Sequence, residues 1–139
     1  MKAHLTRRYQ FSASHRLHNP ELSDAENRTT YGKCNNPYGH GHNYALEVTI
    51  AGQVDARTGM ICDLMELDSF VQRQVLDRFD QEHLNALPQF AAEVPTTENL
   101  CAEVFRLLEP FSSAQLEKVR LEETMLNSFE YAGGAELKI

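Results

Sequence analysis

The sequence predicts an α+β domain: an antiparallel sheet with two helices on one face, in the order two strands, two helices, two strands. Three observations predict it. Residues alternate at period two in segments 5–16 and 42–54, the mark of half-buried strands. Apolar residues recur at helical spacing in two later segments, each opened by a capping residue. Two further alternating segments, 116–125 and 128–131, close the chain as a hairpin around Leu126-Asn127.

The elements follow in order. Tyr9, Phe11, Ala13 and His15 fall on one face of the first strand. Residues 17–39 are rich in Asn, Pro, Gly, Thr and charge and read as a long loop, a length that usually carries function. In the second strand Tyr44, Leu46, Val48 and Ile50 alternate. A turn over 55–59 leads to a short extended piece at 60–62. Asp63 is the expected N-cap of the first helix, with Glu66 completing a capping box. Leu64, Leu67, Phe70, Val71 and Val75 form that helix's stripe, through about Arg78. The polar stretch 80–95 holds the breakers Pro88 and Pro95. Thr96 or Thr97 caps the second helix, whose inner face is Leu100, Val104, Leu107 and Leu108, and Pro110 closes it.

The chain has 139 residues, 42% of them hydrophobic and 24% charged, and reads as one domain, 1–139. No apolar run approaches the ~20 residues a membrane span requires. Residues 1–10 lack the apolar core of a signal peptide, and a cytoplasmic protein is expected. A net charge of −7 argues against a general nucleic-acid binder but not against an anionic small substrate. Cys34, Cys62 and Cys101 are odd in number and widely spaced, so neither a disulfide framework nor a CxxC zinc site fits.

His40-Gly41-His42 is the sharpest local feature. Residues i and i+2 of a strand share a face, so both imidazoles can reach one metal. His15 ends the first strand on an inward position, and antiparallel pairing would bring it to the other two. Three His with an open fourth position is the catalytic zinc pattern, and Gly39 and Gly41 are read as leaving room beside the metal. An isolated HxH also arises as a surface pair, while His4 and His18 read as solvated bystanders. Cys34 follows Lys33; that cation and a nearby metal would favour a thiolate able to act as general base. Its alternative is a buried structural Cys, the reading kept for Cys62 and Cys101. Of Glu122 and Glu123, one must face inward in a half-buried strand. An inward carboxylate needs a partner such as a guanidine-like heterocycle edge, unless both sit at a solvated edge.

Phe11-Ser12-Ala13-Ser14-His15, the run from Cys34-Asn35-Asn36-Pro37-Tyr38-Gly39 through His40-Gly41-His42-Asn43-Tyr44, Gly59-Met60, Phe79-Asp80, Thr96-Thr97-Glu98-Asn99 and Glu123-Thr124 occur in one order. Together they resemble the 6-pyruvoyltetrahydropterin synthase family, which includes bacterial 6-carboxytetrahydropterin synthases, over residues 5–132. The resemblance implies a tunnelling fold, a homohexamer built as a dimer of trimers, and a pterin triphosphate substrate, 7,8-dihydroneopterin triphosphate. It implies Zn2+ on His15, His40 and His42, Cys34 as catalytic base, and Glu123 as pterin anchor beside Thr96, Thr97 and Glu98. It also implies a proton relay through Asp80 and the residue after it. There the sequence departs: the family usually has Asp-His, and here Asp80 precedes Gln81, which cannot titrate. His83, two residues on, is the alternative relay group.

The expected activity is loss of triphosphate to give 6-pyruvoyltetrahydropterin, with Arg16, Arg28 and Lys33 as candidate triphosphate contacts. The alternatives are a 6-carboxytetrahydropterin synthase of the queuosine (deazaguanine) pathway, a zinc- and pterin-binding paralogue of low turnover, or another tunnelling-fold enzyme.

Overall fold

The structure, a computed structural model, describes residues 1–134; the single-domain reading also takes in 135–139, which lie outside the described residues. The strands are β1 (Lys2–His15), β2 (His40–Gln53), β3 (Glu82–His83), β4 (Gln115–Thr124) and β5 (Asn127–Tyr131). They form one sheet in the order β3-β1-β2-β4-β5. β1, β2, β4 and β5 pair antiparallel, and β3 joins the edge of β1 in parallel. The helices are α1 (Asp24–Tyr31), α2 (Leu64–Val71), α3 (Asp77–Phe79) and α4 (Thr97–Leu108). The α+β class holds; the simple order of two strands, two helices, two strands does not, because α1 and β3 intervene. No helix among the described residues is long and apolar enough to cross a membrane.

The sheet's inner face carries the alternating residues the sequence marks. Phe11, Tyr44, Leu46, Val48, Ile50, Val119 and Leu121 are buried there. Against them pack Leu67, Val71, Val75 and Phe79 from the first helical segment, and Leu100, Val104 and Leu108 from α4, in one apolar core. Val71, Val75 and Phe79 stay in line because a π-turn, Gln72–Leu76, links α2 to α3. Thr96 Oγ1 caps α4 by accepting from Asn99 N–H. On the other face Arg8 and Arg120 meet Glu47, and Arg8 also meets Glu122, across three strands.

Several boundaries differ from expectation for identifiable reasons. The 17–39 loop contains α1, with a capping box at its start: Ser23 Oγ accepts from Glu26 N–H, and Glu26 Oε1 accepts from Ser23 N–H. The helix shows no apolar stripe because its one buried residue is Asn27. That amide donates to the carbonyls of Asn19, Leu22 and Ser23 and accepts from Asn19 N–H. The capping box expected at Asp63 is half made: Asp63 accepts from Met65 N–H, while Glu66 accepts from Ser113. Residues 60–62 form no strand. The final hairpin turns at Met125-Leu126, one residue earlier than expected.

Candidate metal centre

The β1–β2 register sets His15 opposite His40 and Ala13 opposite His42. Period-two alternation then turns all three imidazoles to one side, and the small Ala13 leaves room for His42. One ligand atom from each His lies within 4.8 Å of the others. The rings meet edge to face, with centroids 4.8 to 5.1 Å apart.

The hydrogen bonding of the cluster is incomplete in a way that a cation would complete. His15 is 1% exposed, and its Nδ1 lies 2.8 Å from the Pro95 carbonyl. A carbonyl can only accept, so Nδ1 carries the proton and Nε2 is left with its lone pair. That Nε2 faces His40 Nε2 at 3.2 Å. Two nitrogens bound at 2.0–2.1 Å to one tetrahedral zinc lie about 3.3 Å apart, so this spacing suits a shared metal. His42 Nε2 is buried with no hydrogen-bond partner among the described residues. Burial holds His15 and His42 below the ordinary imidazole range, with their neighbouring imidazoles acting in the same direction. Neutral imidazoles are the form that binds metal. The donor set therefore fits a zinc-type ion with an open position.

Beside the cluster lies a carboxylate. Glu123 Oε1 is 3.7 Å from His42 Nε2, and Thr97 donates its hydroxyl proton to Glu123 Oε2. Glu123 is the inward member of its pair, and Glu122 turns out to Arg8. Tyr44 packs its ring edge-on to His42, centroids 5.6 Å apart, and burial pushes its phenol well above the usual range.

Cys34 sits half-buried in the 3-10 turn Gly32–Asn35. The expected downward pull of Lys33 is not met. Lys33 is exposed, and burial, then the charge of Glu123, pushes the Cys34 thiol up.

The remaining predicted site residues divide. Thr97 joins Glu123, whereas Thr96 is engaged as a helix cap and Glu98 is exposed on the first turn of α4. Asp80 and His83 gather on the edge of β1. Asp80 Oδ1 accepts from Ser12 N–H at 2.9 Å, and His83 Nδ1 lies 2.9 Å from Ser14 Oγ. Ser12 and Ser14 alternate with the inward Ala13 and His15, so His83 belongs to the outward side of the ribbon. Gln81 lies between them in the left-handed region, φ 64°, with its N–H donated to Ser12 O. It lines a cleft of about 280 Å³ with Ser12, Ala13, Ser14, His42, Asn43 and Glu82.

Gly39 is required by the backbone rather than by a metal. Its φ is +73°, and a Cβ there would come within 3.0 Å of the His15 carbonyl oxygen and 3.2 Å of the His83 ring. Gly41 is exposed on the outward side. His18 is no bystander: it is half-buried, and its Nδ1 lies 3.0 Å from the Asn35 amide nitrogen. No local signal announces the contributions of Pro95 or His18, since both arise from chain segments meeting in space.

Comparison with known proteins places this arrangement. The family model described as 6-pyruvoyl tetrahydropterin synthase matches residues 4–134. A "6-pyruvoyl tetrahydrobiopterin synthase" of Drosophila melanogaster is 43% identical, over 94% of this chain and 80% of that protein. The human protein of the same description is 41% identical, over 95% of this chain and 92% of its own length. The solved structure of Caenorhabditis elegans 6-pyruvoyl tetrahydropterin synthase superposes with a TM-score of 0.92 at 42% identity, covering 96% of this chain and 97% of that one. With the family model, the curated relatives and the superposed structure each covering nearly the whole described chain, the protein belongs to the 6-pyruvoyl tetrahydropterin synthase family.

Proposed function

We propose that the protein is a zinc-dependent lyase that converts 7,8-dihydroneopterin triphosphate to 6-pyruvoyltetrahydropterin with release of tripolyphosphate. The observation that carries this reading is the part-buried imidazole cluster, with His42 Nε2 unpartnered among the described residues, set beside the Thr97–Glu123 pair. His15, His40 and His42 would hold the metal. Bound there, zinc supplies a Lewis acid for the hydroxyls of the substrate side chain and a positive charge that offsets Glu123.

The chain's own residues supply the rest. Glu123 accepts two parallel N–H donors from the guanidine-like edge of the pterin, and Thr97 holds the carboxylate in place. Cys34 takes a carbon-bound proton from the side chain. Because its surroundings push the thiol up, that role depends on the added cation. We read the assembly as a homohexamer, a dimer of trimers, on the strength of the family resemblance.

Gln81 favours a second reading, a zinc- and pterin-binding paralogue of low turnover. It stands where the family's relay His is expected, and His83 is bonded to Ser14 on the outward side. One experiment separates the two. Zinc-loaded protein is incubated with 7,8-dihydroneopterin triphosphate and the products are read by mass. The proposal expects a pyruvoyl pterin and tripolyphosphate. A carboxy pterin with acetaldehyde would reassign the product class, and bound substrate without product would establish the paralogue.

A further inference from the structure

Cys34 lies in a short turn, and no side chain of the imidazole cluster is hydrogen-bonded to that turn among the described contacts. What holds it is the segment that continues β1 beyond His15. Leu17 N–H donates to the Cys34 carbonyl at 2.8 Å. The Asn35 side-chain amide donates to the Leu17 carbonyl at 2.7 Å and approaches His18 Nδ1 at 3.0 Å. Arg16 Nε donates to the Asn35 carbonyl at 3.2 Å. Residues 16–18 and 34–35 are thus stapled by four contacts, immediately next to a metal-ligating residue.

Asn35 is central to the staple. It is buried, yet nothing about it is apolar; its amide is held because both N–H groups have acceptors. Leu17 O can only accept, which fixes the amide orientation and makes His18 Nδ1 the second acceptor. A buried amide with both donors satisfied is costly to disrupt, since the partners left behind are desolvated as well. Besides this staple the turn is held at its start by α1, where the Gly32 N–H donates to the Arg28 carbonyl; Gly32 and Lys33 are exposed, and so are Asn36, Pro37 and Tyr38 just beyond.

We propose that Asn35 is the positioning residue for Cys34: its side-chain amide, braced by His18, locks the Gly32–Asn35 turn onto residues 16–18 and so sets the thiol relative to His15 and the imidazole cluster. The consequence for turnover rests on the reading of Cys34 as the proton-accepting thiol. The positional statement does not, and its test is chosen accordingly.

The zinc-loaded full chain is treated with iodoacetamide, and modification of each cysteine is followed by peptide mass. Cys62, half-buried like Cys34, and the buried Cys101 serve as references within the same molecule. Asn35→Asp keeps the residue's shape but removes both donors. It is expected to raise Cys34 alkylation roughly tenfold relative to Cys62, as opening of the turn becomes easier. Zinc content should stay unchanged. Turnover should fall by up to roughly a hundredfold with KM little altered, the signature of a misplaced reacting group. His18→Gln is the second variant, for the case in which Asn35→Asp fails to fold. It loosens one contact of four and should shift the same readouts in the same direction by a smaller factor. An unchanged ratio of Cys34 to Cys62 alkylation in the folded variants would overturn the proposal, as would loss of zinc in step with turnover. If alkylation changes as expected while Cys34→Ala remains fully active, the positioning stands and the assignment of Cys34 as base falls.

Discussion

Two of the polar clusters on β1, one near its start and one at its end, differ in completeness. Near its start, Arg7 grips Asp68 through two hydrogen bonds of 2.7 and 2.8 Å, and Tyr9 donates to the same carboxylate at 2.8 Å. Donors and acceptors are matched there. At its end, His15 faces His40 nitrogen to nitrogen, and His42 Nε2 is buried with no partner among the described residues. Both clusters ride on the same period-two alternation. The first is closed and ties α2 to the sheet. The second has more ligand atoms than protons to share, which marks a site shaped for something the chain does not itself contain. A polar cluster's unmet bonds, more than its location, separate binding site from scaffold.

The sharpest break in that comparison is His42→Ala. It removes one of three ligands, so the purified variant should lose its metal, measured by elemental analysis. It should also lose the thermal stabilisation that zinc gives the parent, an effect of about 4 kcal/mol when zinc exceeds its dissociation constant a thousandfold. Next in size is Cys34→Ala, which leaves the imidazoles intact. Zinc should be retained while turnover falls roughly 10²- to 10⁴-fold, the range for a lost acid–base group. Full activity would remove Cys34 from the mechanism.

Glu123→Gln is smaller. It exchanges a carboxylate for a neutral acceptor that offers one oxygen in place of two, and should raise KM or the pterin dissociation constant by roughly tenfold to a hundredfold, as expected for a charge-assisted pair. Unchanged binding would sink its assignment as the anchor.

The smallest effect belongs to the closed cluster. The Arg7 hydrogen bonds hold the Asp68 carboxyl below the usual carboxylate range. A group whose pKa is lower in the folded state binds fewer protons there, so its contribution is present above the unfolded value, about 3.9, and fades as pH falls through the folded one. Both side chains are more than a third exposed, so solvent screens most of the interaction. Asp68→Asn should lower the melting temperature at neutral pH by no more than about 4 °C, with the difference from the parent vanishing in acid. Zinc content should not change.

The contrast also shows what a sequence can reveal. The imidazole cluster was legible because its parts are local: His40 and His42 are two apart on a strand, and His15 continues the alternation of Tyr9, Phe11 and Ala13. The core was legible for the same reason. Helix α1 is hidden in the sequence despite the Ser23–Glu26 capping box, because the helix is held by the buried amide of Asn27 and shows no apolar stripe. The positions of Asp80 and His83 depend on a two-residue parallel pairing with β1, too short to leave a pattern. The roles of Asn35, His18 and Pro95 come from segments up to 80 residues apart meeting at His15, and no spacing rule reports that.

Whether the open cluster is a metal site is decided by calorimetric titration of zinc into the metal-free protein. The prediction is one zinc per chain, with binding abolished in His42→Ala. Zinc uptake of the same stoichiometry and affinity in His42→Ala, or none in the parent chain, would contradict it.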